Sequence, residues 1–132
     1  MSDTRPGHLK DGLKCSCKGH SLDKFLQPNI LILLAMEDLH GYSIIQELED
    51  KKLFYGQQID SAGIYRTLNL LENRGLVVSE WDLAGAGAAK KIYSITEAGL
   101  ECLRNWIITL EQYKETLEST IERAKEVLKQ PN

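Results

Sequence analysis

From residue 28 the chain sorts into phrases with different hydrophobic periods. "PNILILLAMED" is apolar nearly all round, with Pro28 where a first helical turn tolerates it. A helix of that kind is buried on two sides. One domain core rarely does this for so short a helix, so a second partner, such as another subunit, is expected. "HGYSIIQELEDKKLF" puts Ile44, Ile45 and Leu48 on one face and Glu47, Glu49 and Asp50 on the other, which predicts an amphipathic second helix. After the connector "YGQQI", Asp60 or Ser61 is placed to cap a third helix, because a short side-chain oxygen satisfies free backbone N–H groups. Ile64, Leu68 and Leu71 recur at i, i+4, i+7 and mark its buried face, with Ala62, Arg66, Asn69 and Asn73 opposite. Gly75 stands where a helix-ending glycine belongs.

The period then changes. "LVVSEW" and "KKIYSI" are rich in β-branched and aromatic residues and predict two strands of a hairpin, with "DLAGAGAA" as its mobile tip. Trp81 is expected to join wing to body core, and His40 beside Gly41 to sit in a loop or cap. Thr96 is placed to cap a final helix running to about Gln130, with Glu97 near its positive end. A heptad seam along it reads Leu100, Leu103, Ile107, Leu110, Lys114, Leu117, Ile121, Ala124 and Leu128, apolar at every position but Lys114. Such a helix is roughly 45–50 Å long, more than so small a body covers, so much of the seam needs another chain.

Three helices, a hairpin and a long helix are the order of a winged helix-turn-helix with a dimerisation helix. The expected class is mainly α with a small β-hairpin. The expected division is a flexible arm over 1–22, a DNA-binding domain over 23–97 and a C-terminal dimerisation helix over 98–132. The arm is polar and aperiodic, with glycines at 7, 12 and 19. A length of 132 residues suits one modest domain plus an arm or long helix. The longest strongly apolar run, Ile30 to Met36, is too short to span a bilayer. No secretory leader is read. Three cysteines, Cys15, Cys17 and Cys102, are too few for a disulfide scaffold and fit a reducing, cytoplasmic setting. The net charge of −3 argues mildly against a general polyanion binder, so a nucleic-acid surface must be a local patch.

The third helix is the expected groove reader, since a major groove about 12 Å wide accepts one helix. Tyr65 is placed to donate to phosphate and Arg66 to fork onto guanine or clamp phosphate. Asn69 is a further candidate contact, as is Ser61, which doubles as a cap. Lys90 and Lys91 put charge on the return strand. Adjacent strand residues point to opposite faces, so one should touch DNA and the other be solvated, and the sequence does not say which. Dimer symmetry would set two groove helices about one DNA turn apart, roughly 34 Å.

These residues also carry a resemblance. "LILLAMEDLHGYSIIQELED", "DSAGIYRTLNLLENRGLV" and "KKIYSITEAGLECL" together resemble the PadR family of bacterial transcriptional regulators, from about Phe25 to Leu103. Gly41 and Tyr42 match a Gly-Tyr opening the second helix. Tyr65, Leu71, Glu72, Gly75 and Leu76 match the recognition-helix pattern, and Tyr93, Thr96 and Gly99 match the step out of the wing. The resemblance implies a homodimer that represses nearby genes and leaves its operator when an effector arrives, often a phenolic acid, a drug or another small molecule. The chain departs from the family in three places: Gly63 replaces a hydroxyl residue, the wing tip is weakly charged, and the N-terminal arm is an addition.

Trp106 and Tyr113, near the seam but off its main register, are candidates to stack on a flat effector, though packing against the first helix explains them as well. Cys15, Cys17 and His20 in "CSCKGH", with His8 upstream, are candidate soft-metal ligands. One Cys-x-Cys with one His is not a standard four-ligand spacing, and free thiols on a tail are the plainer reading. Cys102 reads as a small packed residue. No cofactor is expected beyond a small-molecule effector, and no catalytic arrangement emerges. Two alternatives remain: a metal- or redox-responsive repressor using the arm, and a winged-helix protein-interaction module without DNA binding.

Overall fold

The computed structural model describes residues 25–50, 60–85 and 87–129. The arm, with Cys15, Cys17 and His20, lies outside the described residues, as does any extension of the second helix past Asp50.

Helix α1 spans Leu26–Met36 and buries Ile30, Leu31, Leu33 and Leu34, so it is covered on two sides, as its all-round apolar sequence predicts. Its outer positions Ile32 and Met36 stay exposed. Helix α2, Gly41–Asp50, inserts Ile44, Ile45 and Leu48 into the same core. Helix α3, Ser61–Asn73, adds Ile64, Leu68 and Leu71. Its cap is Asp60, whose side chain accepts from the Ala62 N–H at 3.2 Å. Ser61 is already the first helical residue, so the capping role expected of it falls to its neighbour. Gly75 ends the helix at φ 75°, a left-handed conformation that disfavours a Cβ.

Strands β2 (Val77–Asp82) and β3 (Lys90–Ile95) form the expected hairpin. A third strand, β1 (Leu39–His40), was not expected. It pairs antiparallel with β3 through Leu39 and Tyr93 and through His40 and Ile92, giving the order β1-β3-β2. His40 is therefore a strand residue rather than a loop or cap residue. Two residues are too few to show a period of two, and their partner lies far along the chain.

Helix α4 covers Glu97–Lys129, about 50 Å at roughly 1.5 Å per residue. Its start is clasped to the wing base. The Thr96 hydroxyl donates to the carbonyls of Gly75 (2.8 Å) and Leu76 (3.0 Å) and accepts from the Gly99 N–H (3.0 Å). The Thr96 N–H donates to Leu76 as well, at 3.1 Å. Thr96 is thus the helix cap that the sequence predicts. Gly99 is buried against the Leu76 carbonyl, where a Cβ would collide. Cys102, Leu103 and Trp106 pack on the core, but every side chain from Glu111 to Lys129 is exposed. Among the described residues nothing buries the seam positions Ile107, Leu117, Ile121 and Leu128, which stay half or more exposed. Among the described residues no helix is long and apolar enough to cross a membrane.

The clasp generates a stability expectation. Gly99→Ala should lower stability by about 1–3 kcal/mol through overpacking against backbone that cannot swing away. Gly85→Ala, at a tip with open space around it, should leave the melting midpoint unchanged. Thermal denaturation of both variants checks this.

Candidate nucleic-acid interface

Burying Ile64, Leu68 and Leu71 turns Ser61, Tyr65, Arg66 and Asn69 outward on α3. Among the described residues Arg66 is paired with Asp60, at 3.9 Å, and both side chains are largely exposed. An ion pair of that kind is weak, so the guanidinium is available to a better acceptor. The Gly63 carbonyl accepts from Thr67 Oγ1 at 2.9 Å. A Cβ at Gly63 would make only ordinary contact with Arg66, so sterics do not demand glycine there.

Tyr65 packs sideways and still reaches solvent. Its ring lies against Gly41, where a Cβ would come within 2.7 Å of Cε1 and 3.0 Å of the hydroxyl oxygen. The glycine opening α2 thus makes room for an aromatic ring from α3. Tyr42, next along α2, is exposed, and its hydroxyl accepts from Gln46 Nε2 at 3.2 Å.

The hairpin register places the two lysines on opposite faces of the sheet. Trp81 opposes Lys91, and Asp82 opposes Lys90. Ser79 Oγ donates to Glu72 Oε2 of α3 at 2.7 Å, so the face carrying Ser79, Trp81, Lys91 and Tyr93 is the one turned toward α3. Lys90 belongs to the outer face with Asp82. Lys91 Nζ sits 5.6 Å from the Trp81 ring centroid, a cation–π contact across the strands. Trp81 is 60% exposed, so it does not join wing to core as the sequence analysis expects. It lies one pleat beyond Ser79, where α3 no longer covers the sheet.

The tip is held at its base. His40 Nε2 and Asp82 Oδ2 are 3.0 Å apart, and Asp82 Oδ1 accepts from the Ala84 N–H at 3.1 Å. The Ala84 N–H first, and the His40 hydrogen bond second, hold the Asp82 carboxyl below the ordinary value of 3.8. Burial raises the Tyr93 phenol above its ordinary value of 10.0, helped by the charge of Glu72, so it stays protonated at neutral pH.

Between α3 and the inner wing face lies a cleft of about 450 Å³. Tyr65 and Asn69 form one wall, Trp81, Lys91 and Tyr93 the other, and Gly41 and Tyr42 close one end beside His40 and Lys90. Among the described residues no carboxylate lines it. The cleft thus joins Tyr65, Asn69 and both lysines, while Ser61 and Arg66 stand on the adjoining face of α3. Trp106 and Tyr113 are elsewhere. Trp106 packs on the core, and Tyr113 meets Phe25 edge-on at 6.0 Å and 69°. Cys102 is a half-buried free thiol against the core. Among the described residues no cluster of His, Cys, Asp or Glu is able to hold a metal ion. Sequence reasoning missed Trp81, Tyr42 and the His40–Asp82 contact. The strand alternation of Val77, Ser79 and Trp81 is the one signal that could have placed the indole on the α3 side.

Two outcomes are expected. In Gly41→Ala the added methyl should push the Tyr65 ring off α2, removing nuclear Overhauser contacts between residue 41 and that ring. The fold should persist, because Tyr65 is at the surface. The Ala84 amide resonance should titrate with Asp82. A group whose folded pKa is depressed contributes stability above its unfolded pKa and loses it as pH falls through the folded value. The Ala84 shift should therefore be constant at neutral pH and move at lower pH than it would beside an ordinary aspartate.

Similarities to known proteins agree with this architecture. A protein of Thermoplasma acidophilum proposed to be a transcriptional regulator superposes with a TM-score of 0.67 at 25% identity, over 76% of this chain and 94% of that one. A conserved protein of unknown function, considered a potential transcriptional factor, is 34% identical over 80% of this chain and 92% of its own, with a TM-score of 0.66. Bacillus subtilis PadR, solved in complex with operator DNA, is 28% identical over 64% of this chain and 46% of its own, with a TM-score of 0.56. No curated protein matches the sequence significantly. Residues 30–105, more than half of the chain, match the transcriptional regulator PadR-like family, whose members are regulators of transcription rather than enzymes, and the chain belongs to that family.

Proposed function

We propose that the protein is a homodimeric repressor that binds operator DNA and releases it when a small-molecule effector arrives. The observation that carries the reading is the surface made by α3 and the inner wing face. It presents Tyr65, Arg66, Asn69 and Lys91, and its cleft is free of carboxylates on a chain of net charge −3. Such a local patch is what phosphate recognition requires of an acidic protein. Arg66 and Asn69 are the base readers. Tyr65 and Ser61 serve phosphates, which take half or more of all such contacts. The operator-bound state of Bacillus subtilis PadR supports the choice of partner.

The exposed apolar seam of α4, with Ile32 and Met36 of α1, supports a dimer. Two copies clasped along α4 would present two α3 helices to half-sites about one turn apart, roughly 34 Å. An effector near Trp106 and Tyr113, where α4 leaves the body, would alter the angle between subunits. The mismatch with the half-sites would lower affinity, as any ligand favouring one state shifts the population.

Selection from a random duplex library tests this. A two-fold symmetric sequence should be enriched, and Arg66→Ala should weaken its binding by about 1–3 kcal/mol, roughly tenfold or more. Failure to enrich any sequence, or sedimentation as a monomer at micromolar concentration, would contradict the proposal.

A further inference from the structure

We infer that the cleft between α3 and the wing seats one strand of the duplex, with Trp81 as the surface on which a deoxyribose lies and Lys91 as the cation for the adjoining phosphate. This rests on the DNA-binding reading above and names the part of the wing that does the gripping. The tip itself, Gly and Ala, has little to grip with.

Trp81 poses the first problem. It is an indole 60% exposed on the face turned toward α3, with Lys91 above its ring. An aromatic residue of that size normally gains by burial. Here nothing in the core claims it. Its position is fixed by the Trp81–Lys91 strand pairing, so it is displayed rather than loose.

The occupant follows from the lining. The chain holds 19 acidic against 16 basic residues, yet the cleft has two lysines and a histidine and no carboxylate. Of the acids beside it, Glu72 is engaged by Ser79 at 2.7 Å and Asp82 by His40 at 3.0 Å. The tyrosines in its lining offer hydrogen-bond donors. Tyr42 already accepts from Gln46, which leaves its own phenolic proton for an acceptor. Tyr65 presents a second hydroxyl beside it. A flat apolar face flanked by a cation and phenolic donors matches a sugar-phosphate backbone: the sugar is its apolar part and the phosphate its acceptor. An acidic peptide would satisfy the cation but offers no repeating apolar ring for the indole.

On binding, the Lys91 ammonium leaves the indole for a phosphate oxygen, exchanging a weak contact for a charge-assisted one. Lys90 lies at the edge of the cleft but faces Asp82 across the strands, so Lys91, over the indole, is the lysine that takes the phosphate.

The test uses protein labelled with 5-fluorotryptophan. Two fluorine resonances are expected from the two tryptophans, and the one absent from Trp81→Phe is that of Trp81. A duplex recovered from a random library by this protein should shift the Trp81 resonance and leave that of Trp106 in place. Trp81→Ala should weaken binding tenfold or more without changing the melting midpoint, and Trp81→Phe should retain most of the affinity. Lys91→Ala should reduce the slope of log affinity against log salt by about 0.9, one phosphate's worth, while Lys90→Ala leaves it unchanged. If Trp81→Ala proves unstable, the fluorine shift and the Lys91 slope decide. An unmoved Trp81 resonance in a saturated complex overturns the inference and leaves the cleft to a small aromatic molecule or a peptide, while the repressor reading stands. If no duplex binds at all, both fall.

Discussion

The fold turns on the close approach of α4 to the base of the wing. One hydroxyl, that of Thr96, ties the carbonyls of Gly75 and Leu76 to the first turn of α4. Gly99 lets the helix backbone come close enough for this. Residues 75 and 76 are also where α3 stops and β2 begins, through the bonds from Gly75 N–H to Glu72 and from Leu76 N–H to Leu71. The end of α3, both wing strands and the long helix therefore meet at one hydrogen-bonded point.

The site inherits its shape from that junction and from a second, smaller set of contacts at its other end. There Tyr65 crosses from α3 to Gly41, β1 pairs with β3, and His40 meets Asp82. Between these two anchorages the inner wing face and α3 hold the cleft. Its chemistry is selective by omission. The acids of this chain are abundant, but near the cleft they are paired with a serine, a histidine or a backbone N–H.

Much of this was readable from the residues. The buried face of α3 shows because Ile64, Leu68 and Leu71 repeat within a single phrase, and the wing strands show because β-branched and aromatic residues cluster on both sides of a glycine tip. Thr96 and Gly75 carry their roles in their residue types. What could not be read depends on distance along the chain. Strand β1 is two residues whose partner lies on β3. The need for glycine at position 41 exists only because Tyr65 arrives from another helix. Trp81 has the composition of a core residue, and the alternation gives its face. How far α3 reaches along the sheet is a matter of three-dimensional extent, and it stops one pleat short. Asp60 and Ser61 are both good caps, and which begins the helix is decided by one residue of register. The aromatic pair on α4 is similar: Tyr113 has the residue type of a stacking platform, yet its ring is met edge-on by Phe25.

The central claim is that α3 and the inner face of the wing act together as one surface against DNA. Amide hydrogen exchange, with and without a duplex recovered by selection, tests it most directly. The account requires added protection over the first half of α3, over β2 and β3 around Trp81 and Lys91, and at the start of α2. The distal half of α4 should be unaffected. Protection confined to α4, or spread evenly over the chain with no change at α3, would contradict it.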